Sequence, residues 1–309
     1  MDQALLVFIT VAEKGHFTRA AEELHMTQPA VSQYVQQLER TYGTKLLERG
    51  RGQVRLNKAG EIVYLHAKQI AKLYTRMNYL VDDLLHKASG ALTIGASYTY
   101  GEYVLPRMIA RLQAEYPLIR PAISIGNTQQ ISEEVAGGEL DIGIVEGEFR
   151  HEKLDIEPLA EDAMDVMAAS GHRLAGRARA DAAELAEETW IVRETGSGTR
   201  AATDAMFDRF GLRPRRCMEF GSTQLIKESV EAGLGVTLLS RWAVRKEIAL
   251  GTMRRLHVEG MPVTRRFYLI TPATKFHTRA TDVFKALLRD GGESPDGAAT
   301  PVNESGNAN

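Results

Sequence analysis

Hydroxyl and amide side chains occupy four comparable places along the chain. Each group follows a short apolar run and precedes a segment of helical periodicity, so each is predicted to lie where a strand ends and a helix begins. Backbone N–H groups and hydroxyls at helix starts can bind an anion. The four groups are Ser97, Tyr98 and Thr99; Asn127 and Thr128; Gly196, Ser197, Thr199 and Arg200; and Ser222 and Thr223.

Two interpretations of these groups remain open. Ser, Thr and Asn cap helices in proteins of every class, so one such turn would carry no information about a ligand. Four at comparable places favour a site for a small anion, to which the guanidinium of Arg200 would add positive charge. Glu146 follows a further apolar run in "VEGE" and is also a candidate. Its charge would repel a pure anion, so we expect it to meet a ligand amine or water.

The elements that must position these residues begin at residue 91. The apolar runs "ALTIGA", "AISIG" and "DIGIV" alternate with helical segments at 103–116 and 129–137, a βαβαβ order that predicts a mostly parallel sheet. A similar series follows, including a predicted helix over 241–247. Two α/β lobes joined by crossing segments near residues 160 and 265 fit this order and would leave a cleft for a small ligand.

The first 57 residues predict a different kind of domain. Apolar residues at helical spacing indicate a first helix that ends at Gly15 and a second around Ala20, Ala21 and Leu24. Thr27 is predicted to cap a third helix with Pro29 in its first turn, where the missing N–H costs nothing. Gly50 and Gly52, followed by alternating apolar residues, predict a small β-hairpin. The second and third helices either pack only against their own domain or also bind DNA.

The polar residues of the third helix favour DNA. A helix-turn-helix reader needs side chains at the start of its second helix that suit base edges in the major groove. From residue 28 to 58 the chain carries six cations against two anions, whereas its net charge is −2, so this segment is a candidate phosphate-contacting surface. The predicted DNA-contacting residues are Thr27, Gln28, Pro29, Ala30, Ser32, Gln33, Tyr34, Arg49, Arg51 and Arg55.

The segment from Lys58 to Ala88 predicts one long helix, because it contains no proline and only one glycine. Five apolar residues in it follow the three-four spacing of a coiled-coil seam. The seam favours a dimer over a helix that packs on its own domain, because much of the remaining surface is charged. Its residues are Ile70, Leu73, Met77, Leu80 and Leu84.

Composition excludes several classes of protein. The apolar content of 44% and charged content of 25% are typical of a globular chain. The single cysteine, Cys217, excludes an internal disulfide, and its position before a strand predicts a small core residue. The histidines have no metal-ligand spacing, so neither a metal nor a cofactor is predicted. No bilayer-spanning run or signal peptide is visible, which leads us to expect a cytoplasmic protein without a membrane partner.

The run "FTRAAEELHMTQPAVSQYVQQLERTYGTKLLERGRGQVRLNKAGE" resembles the N-terminal signature of the LysR-type transcriptional regulators. Departures are small: Leu47 replaces a common Phe, and Asn57 replaces a common Thr and can still cap the next helix. Gln28, Pro29, Ser32 and Gln33 match positions that face DNA in the family, and Arg49 matches its basic residue before the wing. Tyr34 stands where the base-contacting residue varies, so the resemblance implies that it contributes to sequence choice.

The resemblance implies an α+β multidomain fold: a winged helix-turn-helix, a long linker helix used for dimerisation, and a two-lobed α/β effector domain like a periplasmic binding protein. The expected bounds are 1–58, 59–89 and 90–290, followed by a disordered tail over 291–309; lobe I takes 90–161 and 266–290 and lobe II takes 162–265. The stretches "TIGASYTYGEYVLP", "GNTQQI" and "RETGSGTR" resemble the subgroup with regulators of sulfur-assimilation and carbon-fixation genes. That implies a small anionic effector.

The resulting expectation is a regulator that binds promoter DNA and a small effector, assembles as a dimer or tetramer, and has RNA polymerase as a candidate partner. The competing function is an enzyme, since two-lobed folds of this kind also host catalysts. No nucleophile–base pair, metal cluster or Walker-type loop is visible in the sequence, and no His lies near the "GSGTR" turn to support a nucleophile. A transport-type solute binder would need an export signal, which is not seen.

Overall fold

The computed structural model describes residues 2–50, 53–83, 88–147, 150–273 and 277–291. The chain divides into two compact units, Met1–Leu85 and His86–Asn309. Among the described residues, no helix has both the length and the apolarity that crossing a bilayer requires. The predicted contact Arg51, the seam residue Leu84 and the tail from residue 292 lie outside the described residues.

The first unit begins with three helices, continues with a hairpin and ends with a long helix. Its elements are α1 Gln3–Lys14, α2 Phe17–Glu23, α3 Gln28–Tyr42, β1 Leu47–Gly50, β2 Gln53–Leu56 and α4 Lys58–Asp83. The predicted end of α1 at Gly15 and the predicted cap of α3 at Thr27 are confirmed. Gly15 and Gly43 end α1 and α3 in the left-handed conformation, at φ of 64° and 66°, which glycine adopts without a steric penalty.

The helices of the first unit pack through the faces that the sequence predicts. Val31, Val35 and Leu38 on α3 are buried against Ala20 and Ala21 on α2. The long helix α4 begins where expected, because the side chain of Asn57 accepts the N–H of Gly60 at 2.8 Å. The predicted seam residues Ile70, Leu73 and Met77 lie on α4 with 47%, 66% and 50% of their surface exposed.

The second unit contains both lobes. Lobe I comprises β3 Gly90–Ser97, α5 Tyr98–Tyr103, α6 Leu105–Glu115, β4 Ile119–Gly126, α7 Thr128–Ala136 and β5 Ile142–Glu146, with α12 Arg279–Asp290. Lobe II comprises α8 Ala182–Ala186, β7 Thr189–Arg193, α9 Gly198–Arg209, β8 Arg216–Phe220, α10 Thr223–Glu231, β9 Thr237–Ser240, α11 Arg245–Leu250 and β10 Met253–Arg255. Two long strands, β6 Leu154–Ala169 and β11 Val263–Pro272, run through both lobes.

The sheet is mixed, which corrects the prediction of a mostly parallel one. Its strand order is β10-β6-β11-β5-β3-β4, and β9 also pairs with β6. Only the βαβαβ part is parallel, in the pairs β3–β4 and β3–β5. The crossing strands β6 and β11 pair antiparallel with each other, because one carries the chain out of lobe I and the other returns it. The crossings near residues 160 and 265 are therefore confirmed, and Arg265 lies opposite Asp162.

Two further predictions are wrong. The helix expected over 241–247 begins at Arg245, because Trp242, Ala243 and Val244 are buried in a turn that the Ser240 hydroxyl supports by accepting the N–H of Trp242 at 3.1 Å. Cys217 lies within β8 and is exposed, so it is not a core residue. Within the part of the chain that the structure describes, β8 pairs only with β7, which leaves its side chains largely open to solvent.

Candidate functional site

The start of α3 presents a polar surface to solvent. Thr27 caps the helix by accepting the N–H of Ala30 at 3.4 Å, so its hydroxyl has a structural role. Gln28, Pro29 and Gln33 are exposed, and Ser32 is half-buried. The amides of Gln28 and Gln33 and the hydroxyl of Ser32 have the donors and acceptors that base edges require.

Tyr34 occupies an intermediate position on the same helix. Its ring packs partly against the apolar core of the first unit, while the remainder stays accessible. We therefore expect the core to restrict how far its side chain can move.

The hairpin beside α3 carries the predicted wing residues. Arg49 lies in β1 opposite Val54, and the exposed Arg55 lies in β2 opposite Glu48. The N–H of Val54 donates to the carbonyl of Gly15 at 2.8 Å, which ties the hairpin to the end of α1. The hairpin is thus held by the body of the unit while Arg55 remains available to a phosphate.

The second candidate site lies between the lobes, and Glu146 is at its centre. This carboxylate ends β5 in lobe I and is only 2% exposed. Its Oε2 accepts the hydroxyl of Ser97, and its Oε1 accepts that of Thr199 from lobe II at 3.5 Å. Thr128 donates to the backbone carbonyl of Glu146 at 2.9 Å. Three of the predicted groups of residues therefore meet at Glu146.

Arg265 joins these residues into one network. Its Nη1 lies 3.2 Å from Oε1 of Glu146 and donates to the Thr199 hydroxyl at 3.0 Å. Its Nη2 donates to the Thr99 hydroxyl at 3.0 Å, and its Nε donates to Asp162 at 2.8 Å. The guanidinium is thus bonded to residues of both lobes. Buried charges of this kind persist only when they are paired and hydrogen-bonded.

The electrostatics of this network follow from its burial. Removal from water raises the pKa of Asp162, although Arg265 and the Ser240 hydroxyl oppose the rise. Burial lowers the pKa of Arg265, and the carboxylates of Glu146 and Asp162 more than reverse this, so its pKa rises overall. One guanidinium therefore serves two carboxylates, and the network has no surplus positive charge.

A second group of polar contacts lies beside the first. Arg193, at the end of β7, is 1% exposed and donates to Glu194 through Nε at 2.7 Å and Nη2 at 2.8 Å. Its guanidinium lies 4.4 Å from the centre of the Tyr98 ring and donates to the Thr223 hydroxyl at 3.3 Å. Asn127 from lobe I donates to Glu194 at 3.2 Å. Burial raises the pKa of Glu194, and bonds from Arg193 and Asn127 outweigh it, so the pKa is lowered overall.

The Gly-rich turn forms one wall of a cleft of about 240 Å³. Thr128, Glu146, Gly147, Gly196, Ser197 and Arg200 are among its lining residues. The turn contacts lobe I directly, because the carbonyl of Gly196 accepts the N–H of Gln129 at 3.2 Å. The guanidinium of Arg200 is already bonded to Glu219 at 2.7 Å and to Asp204 at 3.1 Å. Arg200 therefore adds little net positive charge to the cleft.

Two of the predicted effector-contacting residues also cap helices through their side chains. Asn127 forms a capping box with Gln130 at the start of α7. Ser222 is half-buried and caps α10 by accepting the N–H of Leu225 at 3.2 Å. Thr223, next to it, is buried and faces Arg193. The capping interpretation thus describes Ser222, whereas Asn127 both caps a helix and joins the lobes.

The sequence did not point to Arg265, Asp162, Arg193 or Glu194. A signal for Arg265 existed: in "VTRRFYLIT" it shares one strand face with Val263 and Phe267, and an arginine on an apolar face needs a buried carboxylate as its partner. The identity of that partner is a property of the sheet register. Only the fold brings Asp162 opposite Arg265.

Known families account for both units. Residues 3–61 match the model described as "Bacterial regulatory helix-turn-helix protein, lysR family". Residues 86–293 match the model described as "LysR substrate binding domain". The chain belongs to the LysR family. It is therefore a DNA-binding transcriptional regulator with an effector-binding domain, and not an enzyme.

Individual relatives of this LysR-type regulator agree. It is 37% identical over 290 residues to the HTH-type transcriptional regulator CysL of Bacillus subtilis, covering 94% of this chain and 97% of that protein. It is 32% identical over 284 residues to the RuBisCO operon transcriptional regulator of Allochromatium vinosum, covering 92% and 94%. The predicted subgroup is thereby confirmed.

A solved structure also resembles the second unit. The regulatory domain of Synechocystis CcmR in complex with 2-PG is 29% identical and matches with a TM-score of 0.61, covering 66% of this chain and 97% of that one. The predicted two-lobed effector domain of this regulator is confirmed.

Proposed function

We propose that this regulator binds a small anionic metabolite between lobes I and II and that the metabolite changes how the protein holds promoter DNA. One observation carries the proposal: hydroxyls from separate helix starts converge on the buried Glu146–Arg265 pair. Ser97 donates to Glu146, and Thr99 and Thr199 accept from Arg265. Hydroxyl donors around a guanidinium suit a carboxylate, phosphate or sulfate. The cleft of about 240 Å³ beside them supplies space for a small molecule.

The resemblance to the CcmR domain supports the class of the ligand, because that domain was solved in complex with 2-PG. Glu146 and Asp162 argue against a ligand held by positive charge alone, since they already balance Arg265. Recognition of the anion therefore depends chiefly on hydroxyl and backbone donors.

The effector site is tested by replacing two of its hydroxyls. Thr99→Ala combined with Thr199→Ala should abolish the rise in melting temperature that an anionic effector causes, measured by thermal shift with sulfate, phosphate and 2-PG. DNA affinity should stay close to that of the wild type. Thr203→Ala is the matched control, because that buried hydroxyl on α9 donates only to the carbonyl of Thr199 at 2.8 Å. An unchanged ligand-induced shift in the double variant would contradict the site.

For DNA we propose that the first turns of α3 enter the major groove. Gln28, Pro29, Ala30, Ser32, Gln33 and Tyr34 would then meet base edges, while Thr27, Arg49, Arg51 and Arg55 would lie near phosphates. The exposure of Gln28 and Gln33 and the solvent-facing position of Arg55 support this assignment. A mobility-shift assay with the DNA upstream of its own coding region tests it.

We propose that α4 pairs with α4 of a second copy and that dimers associate further into a tetramer. The exposure of Ile70, Leu73 and Met77 supports the pairing, because a row of half-exposed apolar side chains along a helix requires a partner in water. Leu73→Glu should lower the mass measured by light scattering to that of a monomer, while Lys72→Ala should leave the mass unchanged. A dimer of unaltered stability in Leu73→Glu would exclude this seam.

The regulatory step is then a shift between two arrangements of the assembly, one favoured by the effector. Each arrangement would splay the DNA-binding units differently and so change DNA bending and contact with RNA polymerase. The protein would act as an activator, a repressor of its own gene, or both, in the cytoplasm where its promoters are.

A further inference from the structure

The Glu146 carboxylate is bonded to the same donors that an anionic effector would use. Its Oε2 accepts from Ser97, and its Oε1 accepts from Thr199 at 3.5 Å and lies 3.2 Å from Nη1 of Arg265. A hydroxyl carries one proton and donates one strong hydrogen bond at a time. Ser97 and Thr199 therefore cannot donate to Glu146 and to a ligand oxygen simultaneously.

Charge leads to the same conclusion. Arg265 lies between Glu146 and Asp162, the latter at 2.8 Å from its Nε, so the buried network already holds two carboxylates for one guanidinium. An effector anion added beside them would make three negative groups for one positive group. Like charges that share a buried site oppose one another strongly, so one of them must leave or be neutralised.

Glu146 is the group that can leave. Asp162 is 1% exposed and is bonded to both Arg265 and Ser240, the latter at 2.6 Å. Glu146, in contrast, lines the cleft of about 240 Å³, and Gly147 directly follows it at φ 96°, beside Thr128 and the Gly196 turn. Its side chain therefore has adjoining space into which it can rotate.

We propose that Glu146 is a tethered competitor of the effector: in the ligand-free protein its carboxylate occupies the anion position, and the anionic group of the effector displaces it. The inference rests on the interlobe effector site proposed above and specifies how that site is regulated. Glu146 belongs to lobe I and Thr199 to lobe II, so displacement replaces an internal contact between the lobes with one made through the ligand.

Displacement also sets the concentration at which the regulator responds. An internal competitor lowers the apparent affinity for the effector, because only the molecules in which the anion position is vacant can bind it. The apparent affinity equals the intrinsic affinity multiplied by that fraction of molecules. Removal of its charge should therefore tighten the binding of simple anions, even though Glu146 lies within the site.

The test is titration calorimetry on the full-length protein with sodium sulfate and sodium phosphate, at constant ionic strength. Glu146→Gln keeps the size of the side chain but makes it a weaker acceptor, so it should bind these anions at least tenfold more tightly than the wild type. Asp162→Asn is the matched control. It removes a carboxylate from the same guanidinium but leaves Ser97 and Thr199 bonded to Glu146. Its increase in affinity for these anions should therefore be at least threefold smaller than that of Glu146→Gln.

The alternative results are distinct. Equal gains in both variants would show that only net charge matters and would overturn the competitor role, as would equal or weaker binding in Glu146→Gln. Failure of all three proteins to bind either anion, with 2-PG also inactive, would overturn the proposed anionic effector instead. Should Glu146→Gln not fold, a crystal structure of the wild type with phosphate in the cleft decides the matter. Glu146 still bonded to Ser97 and Thr199 in that structure would overturn the inference.

Discussion

The start of α3 and the interlobe site are built from similar residues and differ in what lies opposite them. Gln28 and Gln33 on α3 face solvent. Ser97 and Thr199 in the interlobe site are buried, and both donate to Glu146. The first surface has to remain open to a ligand larger than itself, whereas the second is closed around a carboxylate of its own chain.

Because of this difference, substitutions at the two places should affect different properties of the protein. An exposed polar side chain can be removed with little change in the free energy of unfolding, so its loss should be measured in DNA affinity. A buried polar side chain holds its neighbours, so its loss affects stability and binding together. The following predictions test that separation, in order of decreasing effect.

Arg265→Met should lower the free energy of unfolding of the second unit by about 3–5 kcal/mol, because it leaves two buried carboxylates without their partner. Both tryptophans, Trp190 and Trp242, are buried in this unit, so urea unfolding followed by their fluorescence measures the effect. Arg266→Met is the control. Its guanidinium pairs with Glu161 at the surface, where such pairs contribute about 0–1 kcal/mol. Similar losses in both variants would contradict the distinction between buried and exposed sites.

Gly198→Ala should lower the same free energy by about 3 kcal/mol, near the upper end of the range for overpacking. A Cβ at this position would overlap the Cγ and the carbonyl oxygen of Glu146, so the lobes would have to separate there. Gly171→Ala is the control, because nothing lies within 4 Å of its added Cβ. Urea unfolding compares the two variants. Ordinary surface substitutions change the free energy of unfolding by about ±0.5 kcal/mol. A loss no larger than that in Gly198→Ala would argue against tight contact between the lobes.

Gln33→Ala should weaken binding to a specific promoter site by about 1–3 kcal/mol, the range for one base contact. Binding to unrelated DNA and the melting temperature should be nearly unchanged, since the side chain is exposed. Thr41→Ala, in the last turn of the same helix, is the control; its hydroxyl donates to the carbonyl of Gln37 at 3.1 Å. Mobility shift on specific and scrambled DNA measures the ratio. Equal weakening on both DNAs would assign Gln33 to the phosphate backbone.

Glu39→Gln should produce the smallest effect. Glu39 is a buried polar residue of the DNA-binding unit, and the substitution should lower that unit's free energy of unfolding by about 1 kcal/mol. Glu39 accepts from the backbone N–H of Leu46 at 3.0 Å and from the exposed Lys45 at 2.8 Å. Burial raises the pKa of Glu39, but these bonds outweigh it, so the folded-state pKa falls below the usual 4.5. The carboxylate therefore stabilises the unit above about pH 4.5, and this contribution is lost as the pH falls through the lowered pKa.

Hydrogen exchange at the amide of Leu46 measures this prediction. The wild type should protect that amide better than Glu39→Gln at neutral pH, and the difference should shrink on acidification. A difference that grows on acidification would contradict the sign of the pKa shift.

Local patterns predicted much of the molecule, because caps and periodicity act over a few residues. Gly15, Thr27 and Asn57 mark the helix boundaries that the structure has. The order of strands and helices from residue 91 predicted two lobes and two crossings. The sequence missed the antiparallel course of β6 and β11, since the direction of a strand depends on how the chain returns from lobe II.

By itself, the sequence determined the helix-turn-helix, the basic segment after it and the four groups of polar residues at helix starts. Only the tertiary structure decided that three of these groups would meet at Glu146, that Tyr34 would be half-buried and that Cys217 would be exposed. The physical reason is distance along the chain. Asp162 and Arg265 are 103 residues apart and meet only because β6 and β11 pair in one register. Local propensity contains no information about that register, so the buried network around Arg265 is a property of the fold.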